Sequence, residues 1–219
     1  MAYLDVISSV HRATKRDYRL RVLEHDKAAC AELAIKFDEE YWDGERHLGY
    51  GGYRYDGRWR SVAERLAAHY GLGPGSRILD IGCGKGFLLY EFTQVVPGVQ
   101  VQGIDISRYA IEHAKEEVKP FLQIASAAKV PFKDNAFDLV VSLNTLHNLY
   151  NYDLWTALQD MERVGRSKYL VIETYRNERE KVNLMYWQLT CRAFLTPAEW
   201  EWLFAQTGYT GDYAYITFE

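Results

Sequence analysis

Arg77-Ile-Leu-Asp-Ile-Gly-Cys-Gly-Lys-Gly-Phe87 joins a short apolar run to three glycines at alternate positions and then to a helical pattern. A strand that enters a glycine turn at the start of a helix is the local structure of a nucleotide-type cofactor site. Glycines at 82, 84 and 86 let the backbone bend sharply and let a ligand approach where a Cβ would collide, and the helix start offers unpaired N–H groups. The spacing decides between ligands. A dinucleotide loop reads G-x-G-x-x-G and, counted from Gly82, needs glycine at 87, where Phe87 stands. Asp80, just before the turn, would repel a pyrophosphate in a partly desolvated pocket. A cationic ligand suits it better.

Working outward, apolar runs alternate with helical patterns over residues 77 to 174, the signature of a parallel sheet with helices on its faces. Strands are predicted at 77–81, 99–104, 121–124, 137–142 and 168–174, with a last one near 213–218. Helices are predicted at 61–70 (ending at Gly71), 87–96, 108–118 behind a Ser107 N-cap, and 153–164 with Leu154, Leu158 and Met161 as its buried stripe. Thr196, Pro197 and Glu199 form a capping box that starts another helix reaching about Gln206. Residues 1 to about 42 read as mostly helical, with a basic run from His11 to Arg21 whose plain reading is a solvated helix face. Residues 43–60, rich in glycine and tyrosine, read as loop.

Asp80-x-Gly82-x-Gly84-x-Gly86 resembles the first motif of the class I S-adenosylmethionine-dependent methyltransferases, and the resemblance extends over roughly residues 60–218 through Gly103-Ile-Asp-Ile-Ser107 and Val130-Pro-Phe-Lys-Asp-Asn-Ala-Phe-Asp-Leu-Val-Val-Ser142. It implies an α/β, Rossmann-like doubly wound, mostly parallel sheet with helices on both faces, preceded by a helical N-terminal arm and lid at 1–59. It also implies S-adenosyl-L-methionine as cofactor, held by Asp80, Gly82, Gly84, Gly86, Asp105, Ile106, Ser126, Ala127 and Asn144. Asp105 would accept from both ribose hydroxyls, a role a carboxylate fills because it takes two hydrogen bonds from a vicinal diol. Two departures stand out. Where many relatives carry an acidic residue for the adenine amino group, Ala125-Ser126-Ala127 offers only a hydroxyl. The family usually ends in two antiparallel strands, and the C-terminus supplies material for one.

Methyl transfer is an in-line displacement, so the protein chiefly aligns acceptor, methyl and sulfur and keeps water out. His147, just past the fourth predicted strand, is the candidate general base, the alternative being a histidine that orients a loop. The other histidines on predicted helices, His11, His25, His69 and His113, read as surface residues. Aromatic residues interleaved with glycines at 37–59 suit a lid, and Tyr50, Tyr53, Tyr55 and Arg58 are its candidate ligand contacts. An insert at about 175–195 offers Tyr175, Arg176 and Trp187 toward the acceptor. Of 32 aromatic residues, 12 fall in residues 60–174 and 20 in the flanking segments, which places the excess in regions that recognise the acceptor.

The chain has 219 residues, a net charge of −4 and three widely spaced cysteines, with a mean hydropathy of −0.32. That excludes a disulfide framework, shows no metal-ligand spacing and gives no support to nucleic acid as main partner. No apolar run is long enough to cross a membrane, so a cytoplasmic protein is expected. The predicted activity is methylation, on O or N, of a small polar, anionic acceptor derived from a sugar, sugar-nucleotide or phosphate. The branch resembles enzymes of bacterial surface-polysaccharide or specialised-metabolite pathways. Competing readings are a protein or RNA methyltransferase, a non-catalytic cofactor-binding scaffold, and an NAD-dependent oxidoreductase. The sequence leaves oligomeric state open.

Overall fold

The computed structural model describes residues 1–12 and 17–219, so the middle of the basic run lies outside the described residues. Four short helices lead in: α1 (Ser8–Arg12), α2 (Leu20–Leu23), α3 (Lys27–Ala34) and α4 (Glu39–Trp42). The body follows as α5 (Arg60–Tyr70), β1 (Arg77–Ile81), α6 (Phe87–Val95), β2 (Gln100–Asp105), α7 (Arg108–Glu112), β3 (Leu122–Ile124), β4 (Phe137–Leu143), α8 (Asn151–Val164), β5 (Gly165–Glu173), α9 (Glu178–Trp187), α10 (Pro197–Thr207) and β6 (Asp212–Ile216). The strands form one sheet in the order β3-β2-β1-β4-β5-β6. All five pairings are parallel.

Burial on both faces explains why these strands read as continuous apolar runs. Alternate residues go to opposite sides. Ile78, Leu139, Val141, Tyr169 and Val171 pack with Val62, Leu66, Leu89 and Phe92 of α5 and α6, while Leu79, Val140, Leu170 and Ile172 pack with Leu154, Leu158, Met161, Trp200 and Phe204 of α8 and α10. Strand order reverses between β1 and β4, and the crevice outside their carboxyl ends is where an open sheet of this kind binds ligands. Among the described residues, no helix is long and apolar enough to cross a membrane.

Several expectations change. The helix predicted over 108–118 stops at Glu112. Its Ser107 cap is present, accepting from Ala110 N, but Lys115 N then donates to Lys85 O of the glycine turn and Val118 is buried against that turn. Tertiary bonding to the loop outcompetes another helical turn. The sheet is wholly parallel, ending in β6. Instead of a further strand from the C-terminus, residues 2–4 run along β6, with Leu4 N donating to Tyr213 O and Tyr213 N to Ala2 O, which covers an otherwise open edge. The flanking aromatics are not all recognition residues either: Trp200, Phe204 and Phe218 are among the largest fully buried side chains.

Candidate active site

The glycine turn leaves β1 with Gly82, Gly84 and Gly86 all at positive φ. Their surroundings separate their tasks. A Cβ on Gly82 would lie 2.0 Å from Thr145 Oγ1, and one on Gly84 2.8 Å from the Trp42 ring. Gly86 faces Val118 and Leu122 and lies outside the cavity the other two line, so its part is packing rather than the expected ligand contact. The arm is fastened onto this turn. Asp43 accepts from Lys85 Nζ at 2.6 and 2.7 Å and from Tyr109 Oη at 2.9 Å, while Trp42 Nε1 donates to Ser107 Oγ at 2.9 Å. Gly84→Ala should therefore cost about 1–3 kcal/mol through left-handed strain and displacement of Trp42, read as a lower denaturant midpoint with unchanged slope.

Below this loop lies a cavity of about 280 Å³. Asp80, Gly82, Gly84, Asp105, Ile106, Ser126, Ala127 and Asn144 all line it, so eight of the nine expected cofactor residues come together. Asp105 is buried, its two oxygens accepting from Gly84 N at 2.7 Å and Ser107 N at 2.8 Å. Ser126 Oγ accepts from Ala128 N at 3.2 Å, and Ile106, 64% exposed, offers an apolar flank.

Asp80 is 4% exposed, and its Oδ1 has no hydrogen-bond partner among the described residues, nor has Asn144 Oδ1. Burial, then the charge of Asp105, pushes the Asp80 carboxyl up to about 8. Two buried carboxyls and two unpartnered oxygens fit a cationic ligand such as the sulfonium and ammonium groups of S-adenosylmethionine. The expected consequence is proton linkage. Near pH 7 Asp80 is mostly protonated before binding; a bound cation favours its carboxylate, so binding releases up to one proton and tightens as pH rises toward about 8. Calorimetry in buffers of different ionisation enthalpy reads that proton, and it should vanish in Asp80→Asn.

A second cavity of about 330 Å³ adjoins the first. Tyr41, Tyr50, Tyr53, Trp59, Asn144 and Asn148 line both. His147 lines only the second, in a single turn of 3₁₀ helix beyond β4. It is 1% exposed, and burial pushes its pKa down to about 3. Its Nε2 stands 3.5 Å from Glu173 Oε2 at the end of β5, and its Nδ1 has no hydrogen-bond partner among the described residues. Gln188 Nε2 donates to the other Glu173 oxygen at 2.5 Å.

The remaining candidates divide. Tyr50, Tyr53, Arg58 and Trp187 line the second cavity, although Arg58 is also paired with Asp56 at 2.6 Å. Tyr55 lies outside both cavities, donating to Glu91 Oε1 at 2.6 Å and packing on Phe87 and Tyr90. Tyr175 and Arg176 also lie outside. Arg176 is bound to Glu180 and Glu219, which hold its guanidinium away from the site, and Tyr175 lies beside Lys181. His11 is half-buried against Phe218 and lines the second cavity. His25 stacks on His47 at 3.7 Å in the bend after α2, whereas His69 and His113 are exposed as expected. Arg21 and Glu173 were not legible as site residues: one sits in a charge run, the other ends a strand. Only the tertiary fold shows that they share a cavity.

A family model described as a methyltransferase domain matches residues 72–208. Among curated proteins, the 27-O-demethylrifamycin SV methyltransferase of Amycolatopsis mediterranei (strain S699) is 30% identical over 133 residues, 58% of this chain and 46% of that protein. The demethylmenaquinone methyltransferase of Symbiobacterium thermophilum is 37% identical over 90 residues, 37% of this chain and 36% of that one. The chain thus spans less than half the length of either. Two solved structures share the fold: the YcgJ protein from Bacillus subtilis, with a TM-score of 0.57 and 21% identity over 69% of this chain and 68% of that one, and geranyl diphosphate methyltransferase in complex with GPP and sinefungin, with 0.55 and 19% over 67% and 58%.

Proposed function

The chain belongs to the methyltransferase-domain family, and from that premise we propose that it methylates a small polar, anionic acceptor, derived from a sugar, sugar-nucleotide or phosphate, using S-adenosylmethionine. One observation carries the reading: two cavities share the walls formed by Tyr50, Tyr53 and Asn144, the first holding Asp80 and Asp105, the second Arg21, Arg46, Arg54 and Arg58. A cation in one and an anion in the other would meet at that shared wall. Both curated relatives are named for methylating small molecules, which supports a small acceptor over a protein or RNA. We further propose a cytoplasmic enzyme of the kind found in bacterial surface-polysaccharide or specialised-metabolite pathways, whose anionic acceptors the arginine-lined cavity would suit.

The cofactor, when bound, supplies a methyl group activated by a sulfonium. The chain's residues do the rest. Asp105 anchors the sugar end, Asp80 and Asn144 offer oxygens to positive charge, and the segment 37–59 acts as a lid, with Trp42, Tyr50 and Tyr53 covering the first cavity. Glu173 beside Nε2 favours the His147 tautomer protonated there, leaving Nδ1 to take the acceptor's proton while the carboxylate offsets the imidazolium charge.

The test is incubation of the protein and S-adenosylmethionine with metabolite extract separated by charge. Formation of S-adenosylhomocysteine with the small acidic fraction is expected. Turnover only with protein or RNA, or binding without turnover in every fraction, would replace this reading by one of its competitors.

A further inference from the structure

Among the described residues, most of the half-buried or buried lysines and arginines have a carboxylate within ion-pair distance: Lys85 has Asp43, Lys168 has Glu162, and Arg163 has Asp134 and Asp160. Among the described residues three neighbouring cations have none: the half-buried Arg21 and the exposed Arg46, which line the second cavity, and the half-buried Lys27 just outside it. Arg21 from α2 lies 4.6 Å over the Trp187 ring, Arg46 from the lid lies 5.0 Å over the same ring, and Lys27 at the start of α3 donates to Tyr186 O and Gln188 O. Among the described residues Arg21 donates to His47 O at 3.5 Å and its buried Nε has no hydrogen-bond partner. Arg46 is held by Gly49 O and Tyr50 O.

Resting on the reading above, we infer that Arg21 and Arg46, set against Trp187 with Lys27 behind them, form an anion subsite, and that the acceptor is a small phosphate monoester whose phosphate seats there. Helix capping does not account for the pair. Lys27 already serves the carbonyls at the C-terminal end of α9, whereas the two guanidiniums bond lid carbonyls and line the cavity. The crowding is costly to the free protein: burial and Arg46 depress Arg21 to about 10, and burial and Arg21 depress Lys27 to about 8. An oxyanion would relieve it, and guanidinium planes grip phosphate through paired N–H bonds.

Charge and size narrow the class. A phosphate monoester carries about −1.5 to −2 near pH 7, matching a cluster of three cations better than a single carboxylate does. A cavity of about 330 Å³ lies at the small end of ligand pockets. That suits a compound of monosaccharide phosphate size.

The experiment titrates inorganic phosphate, and separately acetate, into protein saturated with S-adenosylhomocysteine, following heat. Saturable phosphate binding is expected, weakened at least about tenfold by Arg21→Ala and by Arg46→Ala, with S-adenosylhomocysteine affinity unchanged in both. Arg46→Ala, at an exposed lid position, carries the test if Arg21→Ala does not fold. Absence of saturable phosphate binding, indifference to both substitutions, or tighter binding of acetate than phosphate would overturn the subsite. Failure of S-adenosylhomocysteine to bind would instead overturn the methyltransferase reading, so the two are separable.

Discussion

His147→Ala is expected to lower turnover by about a hundred- to ten-thousandfold, the usual contribution of a positioned general base, while S-adenosylhomocysteine binds with wild-type affinity. The split follows from location: His147 lines the second cavity and not the one beneath the glycine turn. A base whose pKa is pushed down to about 3 stays neutral throughout the working range but holds a proton weakly. Glu173 Oε2, 3.5 Å from Nε2, supplies the missing stabilisation as the proton arrives. Glu173→Gln should therefore also slow turnover without changing S-adenosylhomocysteine binding.

Burial of a neutral His147 also makes stability depend on pH, and turnover of a neutral variant separates a structural from a catalytic role. The folded pKa lies below the unfolded value of about 6.5, so the stabilising contribution is complete above about 6.5 and is lost as pH falls toward 3, at up to about 1.4 kcal/mol per pH unit. His147→Gln removes this slope, and denaturant midpoints between pH 7 and 5 will show it whatever the catalytic role. Turnover of the Gln variant at the wild-type rate would leave His147 a structural residue only.

The cofactor half of the site was legible because its residues sit on or beside strand ends whose order the apolar pattern sets. Asp80 lies one residue before the end of one strand, Gly82 and Gly84 follow that strand, and Asp105 ends the next, so parallel pairing brings them together; Asp80 lies opposite Gly103 in the register. The acceptor half was only partly legible, because it is built from loops and short helices with no periodic constraint on where side chains point. Tyr53 and Tyr55 show the difficulty. Two residues apart in one aromatic segment, one lines both cavities and the other turns to Glu91. Arg176 and Trp187 likewise share an insert, and local carboxylates draw the arginine away while the indole reaches the cavity. The early end of α7 has the same origin, since its cap is local but its termination depends on Lys85 O, thirty residues earlier in the chain.

Asp105→Ala is expected to weaken S-adenosylhomocysteine binding by about 3 kcal/mol or more, roughly a hundredfold and upward, beyond what loss of a ribose contact would give. The carboxylate does two things at once. It would accept from the ribose diol, and it holds Gly84 N at 2.7 Å and Ser107 N at 2.8 Å, tying the glycine turn to the residue that caps α7. Alanine leaves those two N–H groups without their acceptor in a buried setting, at about 1–3 kcal/mol for each left unsatisfied, so the loop loosens as the contact is lost. Asp105→Asn keeps the shape and one acceptor oxygen and should fall between the two proteins. Burial raises the Asp105 pKa against the pull of the two amides, so affinity should also fall as acidification protonates it, and neither variant should show that acid limb. Unchanged calorimetric affinity in Asp105→Ala would remove the residue from the site.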